Sequence, residues 1–237
     1  MNKIFCSICD SENFILNLKC SNCGSLIREN IRTINIGETF QNFLLNTDFG
    51  IKKVLYSEKK NYLLLLISLL SIKLTILTFF DISILDQKLI TTLLKLNLLV
   101  FSYWFLFILL LGVIFKVLIE IIVRNKFYYK DSLTIIAFSF LYFSVVGIIL
   151  FLLELMLFGK FFFSNNPSIF QINLYKALAV ISLEMIIFLY SLFLLIRFLV
   201  FILHKKFLAT LLSVAFLIFI FIGNEILKKH FRGLLKW

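Results

Sequence analysis

The sequence predicts an all-α membrane fold: a bundle of five transmembrane helices preceded by a small N-terminal β-hairpin module. Three observations carry the prediction. Apolar residues fill 61% of the 237 positions, 30 of them are Phe, and only 16% of positions are charged; soluble domains average about 45–50% apolar and 25% charged. The excess is uneven, because residues 1–60 read as soluble sequence and the apolar mass begins at Tyr62. All four cysteines fall in the soluble part, at positions 6, 9, 20 and 23.

The head, residues 1–36, is specified by its cysteines. Cys6-Ser-Ile-Cys9 and Cys20-Ser-Asn-Cys23 form a CxxC–x10–CxxC pattern. Each CxxC lets two thiolates converge across a tight turn, and two such knuckles complete the closed four-sulfur shell of structural zinc. Gly24 follows the second pair, where the knuckle backbone needs a positive φ, and Asp10 holds the matching place after the first. One structural zinc ion on Cys6, Cys9, Cys20 and Cys23 is therefore the expected cofactor. It would supply folding energy that so short a head cannot draw from a core. Two disulfides would require an exported head, which the charge pattern opposes. Iron suits the same sulfurs, but no flavin, haem or electron-transfer motif accompanies them. The start, Met1-Asn-Lys-Ile-Phe-Cys6, contains no apolar h-region, so the first span is expected to act as an uncleaved insertion signal.

Residues 37–61 read as an amphipathic connector. Phe40, Phe43, Leu44, Ile51, Val54 and Leu55 alternate with lysines, as in a helix lying on a membrane surface with its cations toward anionic headgroups. The plainer alternative is a solvated linker.

The transmembrane domain covers residues 62–226. A span needs about 20 predominantly apolar residues, and five stretches qualify: 62–80, 97–123, 133–158, 175–203 and 207–226. The stretch from Leu89 extends the second helix, and Lys73 is the one awkward charge in the first. Polar breaks separate the spans, with the single proline in Ser164-Asn-Asn-Pro167, which reads as a turn. The spans show no internal repeat, so an inverted-repeat transporter gains no support. Residues 227–237 form an amphipathic tail, with Leu227, Phe231 and Leu234 on one face and Trp237 suited to the interface.

The net charge of +11 does not point to nucleic acid, because it does not sit on the head. Residues 1–50 carry Lys3, Lys19, Arg28 and Arg32 against Asp10, Glu12, Glu29, Glu38 and Asp48, a balance of −1, whereas nucleic-acid modules carry a basic patch. With the N-terminus inside, fourteen Lys and Arg flank the spans on the inner side and eight on the outer. The positive-inside rule thus favours a cytoplasmic head. The four cations of the outer tail oppose it. The bias toward Ile, Lys, Asn, Leu and Phe is that of an AT-rich bacterial genome, so a bacterial inner membrane is the expected location.

Charged residues inside spans are functional suspects by default. Lys116 and Glu120 lie four apart near the inner end of the second span, and Arg197 approaches the same level on the fourth. Glu184 is the deepest acid, and Glu154 lies toward the outer end of the third span. One reading is a small polar site or proton-linked path between the third and fourth spans. The other is that these charges pair or snorkel and fix how the helices pack.

No nucleophile elbow, phosphate loop, zinc-protease HExxH or carboxylate dyad is present, so an enzyme is not expected. The two knuckles, followed by the lead-in from Phe40-Gln-Asn-Phe43 to Lys59-Lys60-Asn61-Tyr62, resemble bacterial multi-pass proteins that place a zinc ribbon before a Yip-type domain. That resemblance implies a membrane adaptor or accessory protein without catalysis. The Pro- and Gly-containing span motifs of eukaryotic Yip proteins are missing, so a trafficking role does not carry over. The expected function is therefore a non-catalytic membrane adaptor or accessory subunit whose cytoplasmic zinc ribbon docks a protein. The alternative is a small transporter or channel using Glu184 and the Lys116, Glu120 and Arg197 group. The expected partners are membrane lipids and a protein, within a membrane complex or a homo-oligomer.

Overall fold

A computed structural model describes residues 3–14, 17–27, 31–82, 90–164 and 167–234. The head opens with an antiparallel hairpin, β1 (Lys3–Phe5) and β2 (Glu12–Phe14). The strand β3 (Ile31–Thr33), helices α1 (Ile36–Leu45) and α2 (Thr47–Tyr56) and strand β4 (Ser57–Lys59) follow. Then come α3 (Leu63–Ile82), α4 (Ile90–Val123), α5 (Tyr129–Ser139), α6 (Leu141–Phe158), a 3-10 turn over Gly159–Phe163, α7 (Ile169–Ile172), α8 (Leu174–Leu203) and α9 (Lys206–Leu234).

Five helices are long and apolar enough to cross a membrane, with spanning windows Leu63–Phe80, Lys95–Val123, Leu141–Phe158, Leu174–Leu203 and Lys206–Lys229. These runs contain no proline. Hydrocarbon offers no partner for backbone N–H and C=O groups, so a spanning segment must bond its own backbone as a helix. Residues of positive φ follow three of the helices: Arg124 after α4 (φ 56°), Gly159 after α6 (φ 54°) and His204 after α8 (φ 51°). His204 donates its N–H to the Val200 carbonyl at 2.8 Å, closing the helix end.

The core of the bundle is mainly apolar but also takes in small hydroxyl residues. Ser71, Thr75, Thr78, Ser139, Ser191 and Ser213 are buried, and each hydroxyl donates to the carbonyl four residues before it. Large apolar side chains such as Leu106, Ile186, Leu189, Ile218 and Phe221 face outward. Small, self-satisfied residues let helices approach closely where no hydrophobic force drives them together.

The third apolar run is two helices rather than the one helix expected over 133–158. The helix from Tyr129 ends at Phe140 (φ −94°, ψ 19°), and α6 restarts at Leu141. The sequence has neither Gly nor Pro here; the break sits where the Phe140 ring packs among Phe143, Phe188 and Phe216. Tertiary packing outweighs local propensity at this point. Residues 132–139 of α5 are all buried, wrapped by α2, α3, α4 and α8.

The connector also departs from the expected single surface helix. Asn46 ends α1 by donating its N–H to Asn42, and its side chain then accepts the Phe49 N–H to cap α2. A Cβ at Gly50 would stand 2.7 Å from the Phe43 ring, so glycine permits the close return. Strands β3 and β4 pair in parallel and close the hairpin. Asn61 completes the clasp, accepting the Ile34 N–H at 3.0 Å and donating to the Ile34 carbonyl at 3.1 Å. The apolar face belongs to the bundle core, with Phe43, Ile51 and Val54 fully buried. Tyr142 and Tyr190 donate their hydroxyls to the carbonyls of Phe40 and Phe43. Amphipathicity thus signals burial against α5 and α8 here.

Lys60 locks this joint. Its Nζ donates to the carbonyls of Val54 (2.7 Å) and Leu55 (2.8 Å) at the end of α2, and Asp131 of α5 lies 3.6 Å away. A cation at a helix C-terminus complements the helix dipole. Replacing Lys60 by Met removes both carbonyl bonds and the ion pair; a loss of about 3 kcal/mol is expected. Thermal unfolding of the detergent-solubilised variant measures it, and a wild-type midpoint would refute the assignment.

Candidate metal centre and intramembrane charges

The two cysteine knuckles share one local geometry. In the first, Cys6 donates its N–H to the Ser11 carbonyl (3.1 Å) and Asp10 donates to the Cys6 carbonyl (2.9 Å). In the second, Cys20 donates to Ser25 (2.8 Å) and Gly24 to Cys20 (3.0 Å). Asp10 (φ 50°) and Gly24 (φ 73°) both adopt the left-handed conformation anticipated for them. The N–H groups of Ile8 and Asn22, at the knuckle tips, point to the sulfurs of Cys6 (3.5 Å) and Cys20 (3.4 Å).

The knuckles bring all four sulfurs within 4.8 Å of one another. Cys6 and Cys23 approach to 3.6 Å, as do Cys9 and Cys20. These separations are far too long for disulfide bonds of about 2.05 Å. They are close to the roughly 3.8 Å edge of a tetrahedron with metal–sulfur arms of about 2.3 Å. The donor set therefore fits a metal ion, and four thiolates around one ion leave no open position for substrate.

Two serines, not singled out from the sequence, support the sulfurs. The Ser11 hydroxyl lies 3.1 Å from the Cys9 sulfur and 3.0 Å from that of Cys20. The Ser25 hydroxyl lies 3.1 Å from Cys6 and 3.0 Å from Cys23. The signal was present: Cys6-Ser-Ile-Cys9-Asp-Ser11 and Cys20-Ser-Asn-Cys23-Gly-Ser25 repeat one pattern, CSxCxS. Buried Asn13 ties the knuckles together, accepting the Ser21 N–H at 2.8 Å and donating to the Ser11 carbonyl at 2.9 Å. Donors to sulfur stabilise thiolate. The Cys23 N–H and the Ser11 hydroxyl draw the Cys20 thiol down to about 5. The Ser25 hydroxyl leads the same effect on Cys6. At Cys23 the pull of Ser25 is outweighed by the neighbouring thiols and burial, and its value rises.

The intramembrane charges form different groups from those anticipated. Glu184 is paired, and its partner is Lys73. Lys73 starts midway along α3, is fully buried, and passes over Gly147 of α6, where a Cβ would stand 2.9 Å from its Cε. Its Nζ also lies 5.9 Å from the centre of the Phe143 ring. Glu154, 2% exposed, falls within electrostatic reach of both members of this pair. One of its oxygens, Oε2, has no hydrogen-bond partner among the described residues.

The expected Lys116, Glu120 and Arg197 group divides. Lys116 and Glu120 do pair, at 3.6 Å and about one-third exposed. Glu120 also accepts the Phe127 N–H at 2.9 Å, bracing the turn between α4 and α5. Arg197 instead reaches Asp48 of α2 in an exposed pair. Glu225 pairs with Lys228 at 2.9 Å. Trp237 lies outside the described residues. Toward the far end of the bundle, Trp104 donates to the Thr78 hydroxyl (3.0 Å), which lies 3.2 Å from Asn224 Oδ1. Trp104 and Asn224 border a cavity of about 400 Å³ that is otherwise apolar.

No protein-family model, curated protein or solved structure matches the chain. The site is therefore read from its own geometry.

Two outcomes follow from it. Ser11→Ala or Ser25→Ala removes a hydroxyl shared by two sulfurs, and supporting-residue losses of this kind typically lower metal affinity about 10- to 100-fold. Competition with a chromophoric chelator reads the change. For the buried pair, Lys73→Met alone removes the partner of Glu184 and is expected to destabilise by about 3–5 kcal/mol. The double variant Lys73→Met/Glu184→Gln should recover most of that. Additive losses in the double-mutant cycle would show that the two side chains do not interact.

Proposed function

We propose that this chain is a non-catalytic multi-pass membrane adaptor or accessory subunit whose zinc-loaded ribbon binds a protein. One observation carries the reading: the ribbon displays Phe5, Ile8 and Leu26 to solvent at 61%, 74% and 57% exposure around a closed four-thiolate cluster. Large apolar side chains on so small and rigid a module are the usual anchors of protein contacts. A near-neutral head suits a protein better than nucleic acid, and the sealed sulfur set suits structural zinc. The positive-inside count supports a cytoplasmic ribbon, and the residue bias supports a bacterial inner membrane. The layout resembles that of zinc-ribbon proteins of the Yip type.

A second reading, a small transporter, draws on the Lys73–Glu184 pair. A buried charge pair in the middle of a span is costly, and such pairs recur in substrate and ion pathways.

Gentle detergent extraction should yield one zinc per chain and a stoichiometric companion protein. Cys6→Ser or Cys20→Ser should abolish the companion while membrane insertion persists. Ile8→Asp should weaken its capture at least tenfold with zinc content unchanged. Undiminished capture by Ile8→Asp and both cysteine variants would sink the adaptor reading. For transport, Glu184→Gln should stop flux in reconstituted vesicles, and unaltered flux would remove that alternative.

A further inference from the structure

We propose that Lys73, Glu184 and Glu154 form a proton-binding site buried within the bundle, with the proton carried by Glu154 near the Lys73–Glu184 ion pair. The inference does not depend on the ribbon's role. It adds a coupling ion to the transporter reading and stands even if nothing is transported.

The argument begins with charge. The cluster holds one cation and two carboxyl groups. Lys73 and Glu184 satisfy one another. Glu154 is 2% exposed and its Oε2 is buried without a hydrogen-bond partner among the described residues. An ionised carboxylate left so in a low-dielectric interior is strongly disfavoured. One added positive charge brings the cluster to neutrality, and a proton does so without a coordination shell. Loss of that proton leaves a net charge of −1 shared by the two carboxylates.

Geometry places Glu154 for this role. Gly147 and Glu154 are seven residues apart on α6 and so share a face. Gly147 is where the Lys73 stem crosses α6. A helical side chain leans toward its own N-terminus, which carries the Glu154 carboxyl back toward Lys73. Among the described side chains of the elements packed on α6, no other charge is placed in the cluster. Lys73 faces it from α3 and Glu184 from α8. On α5, Asp131 is engaged with Lys60 at the ribbon end, where Lys130 is exposed. Arg197 of α8 is engaged by Asp48, and Lys176 is exposed in the first turn of α8. The hydroxyls of Tyr142 and Tyr190 are committed to clasp carbonyls. Glu184, whose side chain is 17% exposed, is the most exposed of the three.

The test is infrared spectroscopy of the full chain in lipid nanodiscs, following the carbonyl band of a protonated carboxylic acid as the buffer is titrated. At neutral pH the wild type should show one such carboxyl. The band should vanish in Glu154→Gln, persist in Glu225→Gln, and move in frequency in Glu154→Asp, which keeps the acid if the Gln variant folds poorly. A wild type without the band, or a band unaltered in both Glu154 variants, would overturn the proposal. So would a missing band accompanied by a thermal stabilisation on adding sodium or potassium chloride, which would assign the cluster to a metal cation. An intact band without flux in reconstituted vesicles would remove the transporter reading alone.

Discussion

Hydrocarbon provides no hydrogen bonds, so a polar group within the bundle finds its partners in the chain itself or pays for their absence. That constraint explains how serines and threonines are accommodated within a largely apolar core. Hydroxyls return to carbonyls one turn back, Trp104 finds Thr78, and Tyr103 donates to the Gly223 carbonyl at 2.9 Å. The costliest group is Lys73, and its surroundings are arranged accordingly. Gly147 clears space for its stem, Phe143 offers its ring, and Glu184 supplies the counter-charge. Three helices are held in register by one side chain.

A second set of bonds joins the head to this bundle. The α1–α2 hairpin is closed by two short strands and the Asn61 side chain, and Lys60 ties its end to α5. Tyr142 and Tyr190 read the hairpin's backbone from α6 and α8. Phe43, Ile51 and Val54 extend the apolar core into what the composition marks as soluble sequence. The ribbon stands on a joint that is part of the membrane domain's packing.

Much of this was legible from residue order. Five apolar runs of sufficient length leave helices as the only solution, and the CxxC spacing leaves the thiolates little choice but to converge. Long-range partners were not legible. Nothing in the local sequence couples Lys73 to Glu184, 111 positions away, or Arg197 to Asp48. An i,i+4 pair such as Lys116 and Glu120 is readable because the helix alone brings it together. Phe140 and the connector misled for one shared reason. Periodicity reports that a face is apolar, but not whether lipid, water or another helix covers it. Ser11 and Ser25 were readable in principle from the repeated CSxCxS, which ordinary metal-ligand spacing does not include.

The parallel pairing of β3 with β4 has a mechanical consequence. The ribbon precedes β3 and the first span follows β4, so tension between ribbon and membrane pulls the two strands from opposite ends. Their hydrogen bonds then resist together, in shear, instead of opening one after another as in a zipper. The α1–α2 hairpin lies between the strands in sequence but outside the line of force. A partner tugging on the ribbon thus pulls almost directly on α3, the helix that carries Lys73.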